Sequence, residues 1–91
     1  MIVLGDEFTK YHGRREKVAV LNVPGRGKVT LGLSDTQRCA RSMDIARLTI
    51  RNVAKEAVPE GDVDAEASKL HEHCKLLSGI KSEPAAMGAR R

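Results

Sequence analysis

The chain has 91 residues and a formal net charge of +4, with 41% hydrophobic and only 2% aromatic residues. This length accommodates one small domain with an aliphatic core, which leaves little room for the buried pocket of an enzyme. We therefore expect a non-enzymatic protein that uses no cofactor or metal, and a homodimer in which a second copy completes the thin core. No apolar run is long enough for a membrane span or a secretory signal, and two cysteines make no disulfide framework, so we expect a cytoplasmic protein.

Positive charge is concentrated in the middle of the chain. Residues 10–55 carry eleven Lys or Arg against three Asp or Glu, a net charge of +8, whereas both flanking segments are net negative. Such a block attracts phosphate backbones or an acidic protein surface, although it also describes a solvated face that binds nothing. The expected partner is therefore nucleic acid of unspecified type or an acidic protein, and no membrane.

Apolar runs in the first third of the chain predict a small antiparallel sheet. Met1–Leu4 predicts a short first strand that ends in a turn at Gly5-Asp6, and residues 7–16 predict a basic loop. Two runs of alternating apolar residues follow, separated by a Pro-Gly turn, and together they predict a hairpin over residues 17–33. Apolar residues occupy both faces of the first of these two strands, which is typical of a central strand or of a strand that is covered on both faces.

The rest of the chain predicts two helices. Ser34 and Gln37 fit a capping box, and apolar residues at spacings of three and four then continue without Gly or Pro, which predicts one helix over residues 35–57. Asp62 is a suitable N-cap for a second helix over residues 63–78 that repeats the same spacing. Matched stripes joined by a short connection predict an antiparallel helical hairpin.

These elements together predict the α+β class. The predicted fold is a short antiparallel sheet, formed by the hairpin 17–33 and the N-terminal strand, packed against the helical hairpin 35–57 and 63–78. Residues 1–80 form the predicted domain, and residues 81–91 are expected to be a flexible basic tail.

An alternative for residues 36–55 is that they resemble the helix-turn-helix DNA-binding motif. The apolar positions and the alanine of that motif are matched by Cys39, Ala40, Met43, Ile45, Ile50 and Val53. The resemblance implies a turn at Asp44, where the motif usually has glycine, and a second helix over residues 46–55 that enters a major groove. In a continuous helix, by contrast, Ile45 and Leu48 project from the charged side, where they are exposed or part of an interface.

The strands also resemble those of the small CsrA-type translational regulators. Residues 18–25 and 28–33 are similar to the central strands of that family, and Met1–Leu4 is similar to its opening strand. The resemblance implies a strand-exchanged dimer that binds GGA-containing RNA loops. The family's basic residues after the first strand are replaced by Gly5-Asp6, and its His-Arg-Glu-Glu run is missing. Its RNA-contacting residues are therefore not carried over to this chain.

The predicted function is that of a small regulatory protein that binds nucleic acid through a basic helix face and basic loops. The alternative is a phage- or plasmid-type adaptor or inhibitor that docks an acidic partner through the same face, with exposed Ile45 and Leu48 as apolar anchors among arginines. The candidate contact residues for either partner are Arg14, Arg15, Arg26, Lys28, Arg41, Arg47, Leu48, Arg51, Asn52 and Lys55.

The remaining motifs predict no catalytic or metal site. Residues 25–28 superficially suggest a phosphate loop, but they lead into a strand and not into a helix N-terminus. His71 and His73 point to nearly opposite sides of the second helix and cannot share one ion. The predicted helical register places Cys39 near Ile80, too far from Cys74 for a shared metal or a disulfide.

Overall fold

The chain forms a three-stranded antiparallel sheet followed by three helices, in a computed structural model that describes residues 2–79. The central strand is β2, as its two apolar faces predict, and the α+β class is confirmed. A 3₁₀ turn over Glu60–Asp62 precedes the last helix. The elements are β1 (Val3–Tyr11), β2 (Arg14–Val23), β3 (Gly27–Thr30), α1 (Leu33–Arg41), α2 (Met43–Val53) and α3 (Val63–Leu77).

β1 is longer than the first strand predicted over Met1–Leu4, and it forms a hairpin with β2 that was not predicted. Gly5 pairs with Val20 inside the sheet, so the predicted turn at Gly5-Asp6 and the loop over residues 7–16 are both wrong. The turn lies at His12-Gly13, where φ is +52° and +78°, the two positive values that a two-residue type I′ hairpin turn requires. Polar residues form strands here because this part of the hairpin extends past the core, so its sequence does not need buried apolar residues at alternate positions.

The part of the β1–β2 hairpin that lies nearest its turn has no third strand beside it. β3 pairs only with residues 20–23 of β2, and the chain then enters α1 at Leu33, with Gly32 as N-cap. The predicted strand to residue 33 and the predicted cap at Ser34 are therefore wrong. We call residues 8–17, the part of the β1–β2 hairpin farthest from β3, the ribbon.

The predicted helix over residues 35–57 is wrong, because it is divided into α1 and α2 at Ser42. Ser42 has extended backbone angles, φ −143° and ψ 120°, and its hydroxyl accepts a hydrogen bond from the Ile45 N–H as the N-cap of α2. The change of direction brings Ile45 against the core, whereas an unbroken helix would turn it toward solvent. Leu48 remains 51% exposed. The break lies two residues before Asp44, the turn position that the helix-turn-helix resemblance implies.

The core is aliphatic and centred on α3, which packs against α1, α2 and β2. One face of β2 contributes Ala19, Leu21 and Val23, and the helices contribute Ile50 and Leu70, all less than 4% exposed. α3 matches the predicted second helix to within one residue, while the predicted tail 81–91 lies outside the described residues. Over residues 2–79, no helix is long and apolar enough to cross a membrane.

Candidate nucleic-acid interface

Two of the predicted helix contacts, Arg47 and Arg51, are engaged by carboxylates of the same chain. The Arg47 guanidinium lies 2.6 Å from Asp44 and 2.8 Å from Asp64 of α3, and Arg51 lies 2.8 Å from Glu60. Hydrogen bonding to Asp64 and to Glu60 raises the pKa of Arg47 and of Arg51, respectively. These side chains join α2 to the start of α3, so the predicted recognition face points into the molecule's own acidic residues.

A second group, Arg26, Asn52 and Lys55, surrounds an open cleft of about 440 Å³ between the β2–β3 turn and the end of α2. Arg26 donates to the Val53 carbonyl oxygen at 3.0 Å, and Glu56 forms part of the wall. Because the carbonyl end of a helix carries partial negative charge, this cleft is a poor site for a phosphate. The structure therefore brings three predicted contacts together without making an anion site.

Three further predicted contacts are dispersed. Lys28 forms an ion pair with Glu7 across the outer face of the sheet. Arg41 is exposed in the last turn of α1, where a cation complements the helix dipole. Leu48 lies exposed on α2 at the edge of a shallow groove lined by Ile45 and Val53. None of the three adjoins Arg14 or Arg15.

The two histidines of α3 are structural. The His71 Nδ1 lies 2.7 Å from the Cys39 carbonyl oxygen, and the His73 Nε2 lies 2.7 Å from the Gly5 carbonyl oxygen. Because a carbonyl oxygen only accepts, each ring nitrogen donates, and the two rings join α3 to α1 and to β1 on opposite sides. No group of three metal-ligating side chains occurs among residues 2–79.

The two cysteines are closer than predicted. Both side chains are fully buried, and each thiol shifts the pKa of the other, so the two lie closer together than the predicted register implies. Ile80, which the same prediction places beside Cys39, lies outside the described residues. The break at Ser42 changes the register between α1 and α3, because α1 is no longer aligned with α2. Hydrogen bonding from Cys74 lowers the pKa of Cys39 to about 7, while the same interaction raises that of Cys74.

The ribbon holds the remaining predicted contacts, Arg14 and Arg15, in a setting unlike the others. It contains four Lys or Arg and a single Glu, together with the only Phe and the only Tyr of the chain. Phe8 and Tyr11 are each 54% exposed. A protein with so small a core leaves both of its large aromatic rings in solvent, which makes this segment the candidate contact surface.

The cations of the ribbon are little neutralised by the described part of the chain. Lys17 lies 3.7 Å from Asp6, and no carboxylate of residues 2–79 lies within 4.0 Å of the charged groups of Lys10, Arg14 or Arg15. The ribbon therefore presents a net positive charge to solvent, in contrast to α2.

The strand register divides the ribbon into two faces. Phe8 is opposite Lys17 and Lys10 is opposite Arg15, and these four side chains share the face on which Ala19 and Leu21 meet the helices. The Arg15 guanidinium lies 4.0 Å from the centre of the Phe8 ring, and the Lys17 ammonium lies 5.6 Å from it. Tyr11 and Arg14 form a pair on the outer face. We call the face that carries Phe8, Lys10, Arg15 and Lys17 the Phe8 face.

Phe8, Lys10, Tyr11 and Lys17 were not among the residues predicted from the sequence. Two features of the sequence indicate this hairpin. Phe8, Lys10 and Lys17 occupy alternate positions of their segments, as in strands. The His12-Gly13 pair between the segments favours a two-residue hairpin turn. Assigning residues 7–16 to a loop removed the periodicity that puts the aromatic ring and the cations on one face.

The chain matches no protein-family model, no curated protein and no solved structure. The resemblances to the helix-turn-helix motif and to the CsrA-type regulators gain no support from these comparisons.

Proposed function

We propose that this protein is a small, non-enzymatic regulatory protein that binds nucleic acid through the ribbon. One observation carries the proposal: the only Phe and the only Tyr of the chain are both more than half exposed, among four Lys or Arg. Cations supply phosphate contacts, and aromatic rings supply stacking surfaces for bases, which is the combination that nucleic-acid-binding proteins use.

The length of the ribbon supports a binding role. A two-stranded ribbon buries little apolar surface and is only marginally stable by itself, so folding does not explain its ten residues. Its position beyond β3 leaves both faces accessible, and its charge complements a phosphate backbone.

A non-enzymatic role is supported by how the reactive side chains are used. His71 and His73 donate to backbone carbonyl oxygens, and Cys39 and Cys74 are fully buried in the core. These groups stabilise the fold, and the proposal needs no cofactor or metal.

The proposal includes a cytoplasmic location and a homodimer. β1 is an edge strand of nine residues, and Val3 on its outer face is 65% exposed. Unpaired edges of this length readily pair with a second strand. Sedimentation equilibrium should therefore give twice the mass of the chain.

A second candidate function is docking to an acidic protein. The exposed Leu48 beside the groove of Ile45 and Val53 favours it, because interface cores combine apolar anchors with arginine. Absence of oligonucleotide binding at low salt would favour this candidate over the first.

Two double variants that remove the same charge test where nucleic acid binds. Arg14→Gln/Arg15→Gln should weaken binding of labelled oligonucleotides and reduce the slope of log K against log salt by at least about 0.7, because one or both of these cations contact a phosphate. Arg47→Gln/Arg51→Gln should leave the slope unchanged, because those cations already bind Asp44, Asp64 and Glu60. Titrations at several salt concentrations measure both slopes, after circular dichroism has verified that the variants are folded. Equal losses in the two variants would contradict a site on the ribbon.

A further inference from the structure

We propose that the Phe8 face binds single-stranded nucleic acid, with one unpaired base stacked on the Phe8 ring and the flanking phosphates held by Lys10, Arg15 and Lys17. This inference rests on the proposed function and specifies which face is used and which form of nucleic acid is bound. The outer face, with Tyr11 and Arg14, is then not the primary contact.

The arrangement of side chains around Phe8 supports stacking of a base. Lys17 lies opposite Phe8, and the Lys10–Arg15 pair lies one step farther along the same face, so three cations border one ring. The Arg15 guanidinium, a planar group, already lies 4.0 Å above the ring. A base that stacks on Phe8 takes the place of this guanidinium or is enclosed by it, and Arg15 is exposed and can reach a phosphate in either case.

The surroundings of the Phe8 face favour a single strand over a duplex. In a duplex the faces of the bases are covered by their neighbours, whereas a single strand exposes them to an aromatic side chain. α3 borders this face where His73 hydrogen-bonds to Gly5, three residues before Phe8. At about 3.3 Å per residue Phe8 lies about 10 Å from this contact with α3, which is less than the width of the major groove of B-DNA alone. A flexible strand fits beside this wall, and a rigid duplex does not lie flat against it.

The outer face offers matched controls for two contacts on the Phe8 face, Phe8 and Arg15. Tyr11 has the same exposure as Phe8, 54%, and its side chain projects from the opposite side of the same strand. Arg14 and Arg15 are adjacent residues with opposite directions. An aromatic ring or a positive charge can therefore be removed from either face, and the two variants then differ mainly in which face has changed.

The experiment compares a labelled single-stranded oligothymidylate with a mixed-sequence DNA duplex of the same length. The wild-type chain should bind the single strand at least about tenfold more tightly than the duplex, since stacking requires an unpaired base. Phe8→Leu should weaken single-strand binding about tenfold, and Tyr11→Leu should change it less than about twofold. Arg15→Gln should weaken it more than Arg14→Gln does.

Tyrosine fluorescence gives an independent measure of the outer face. The chain contains one Tyr and no Trp, so intrinsic fluorescence reports on Tyr11 alone. Saturation with oligothymidylate should leave this emission largely unquenched, because the base stacks on the other face.

Each opposing outcome has one meaning. Equal losses for Phe8→Leu and Tyr11→Leu, strong quenching of Tyr11, or duplex binding as tight as single-strand binding would overturn this inference and leave a nucleic-acid-binding ribbon in place. Failure of the wild-type chain to bind either probe at low salt would overturn the proposed function as well.

Discussion

Thr36 is a polar residue that is fully buried, and its hydroxyl replaces β3 as the hydrogen-bond acceptor for β2 where β3 ends. Ala19 of β2 lies beyond the last β3 pair, and its N–H donates to the Thr36 hydroxyl at 3.2 Å, while its carbonyl oxygen accepts from Leu31 N–H at 2.9 Å. A side chain of α1 thus satisfies a strand N–H that would otherwise be buried without an acceptor, which attaches the first helix to the central strand.

Thr36→Val should lower the free energy of unfolding by about 1 to 3 kcal/mol, because it has nearly the same shape and leaves the Ala19 N–H unsatisfied. Thr36→Ser keeps the hydroxyl, and it should cost about 1 kcal/mol or less for the missing methyl group. Urea denaturation of the two variants measures the difference. If Thr36→Val is as stable as Thr36→Ser, the buried hydrogen bond does not contribute as described.

Between elements, the two thiols connect α1 to α3. The neighbouring Cys74 thiol is the largest cause of the lowered pKa of Cys39, and the Thr49 hydroxyl, 3.4 Å from the Cys39 sulfur, acts in the same direction. Burial of Cys39 opposes its ionisation, yet its pKa falls from 9.0 to about 7 because the hydrogen bond from Cys74 outweighs this cost. The α1–α3 junction is therefore sensitive to pH.

The expected pH dependence follows from proton binding in the two states. Between pH 7 and pH 9 the unfolded chain keeps the Cys39 proton that the folded chain has released, so the free energy of unfolding should rise with pH in this window. Above pH 9 the raised pKa of Cys74 acts in the opposite direction, because the folded chain then keeps a proton that the unfolded chain loses. Cys74→Ala should raise the pKa of Cys39 by removing the donor.

Urea denaturation across this pH range, together with ultraviolet absorbance of the thiolate, measures both effects. Cys39→Ala is the control, because it removes the thiol that is expected to release its proton in this window and leaves every other titratable group in place. A Cys39→Ala chain that keeps the wild-type slope of stability between pH 7 and pH 9 would show that another group causes it.

At the scale of the whole molecule, the core that stabilises the fold and the ribbon proposed to bind nucleic acid lie at different ends. The described residues extend 44 × 31 × 18 Å, and the buried aliphatic core lies with the helices, whereas the exposed aromatic rings lie on the ribbon. The core side chains of β2 begin at Val18, so the ribbon contributes little to the buried surface. Binding and folding should therefore be separable.

Deletion of Lys10, Tyr11, Arg14 and Arg15 tests this separation. After the deletion, the His12-Gly13 turn directly follows the Thr9–Glu16 pair. This pair lies two residues farther from the turn than Tyr11–Arg14, so it is the same type of antiparallel pair, hydrogen-bonded or non-hydrogen-bonded, as the one it replaces. The shortened chain should keep the circular dichroism spectrum and denaturation midpoint of the wild type, and it should lose at least about tenfold in oligonucleotide affinity because three cations are removed. Unfolding of the shortened chain would mean that the ribbon supports the core.

The sequence predicts some elements better than others for identifiable reasons. α3 was predicted to within one residue, because its apolar spacing and flanking Pro59 and Gly79 are local signals. The break at Ser42 was not predicted, since Cys39, Met43, Ile50 and Val53 fit a continuous stripe as well as two helices. What distinguishes the two is the packing of α1 and α2 against α3, which is a tertiary property.

The candidate site shows the same division. Counting charges located the cations within residues 10–55, but only the fold showed that Arg47 and Arg51 meet Asp64 and Glu60 while Arg14 and Arg15 do not. These partners are nine to seventeen residues apart in the chain, so no local pattern indicates the pairing.

Composition and periodicity alone determined the α+β class, the aliphatic core and the basic middle of the chain, because these properties depend on residue types and their spacing. Tertiary structure alone decided which cations remain unpaired, where the long helix divides, and that Phe8 and Tyr11 lie outside the core. Long-range ion pairs and strand register depend on which segments meet, and that is settled only when the whole chain packs.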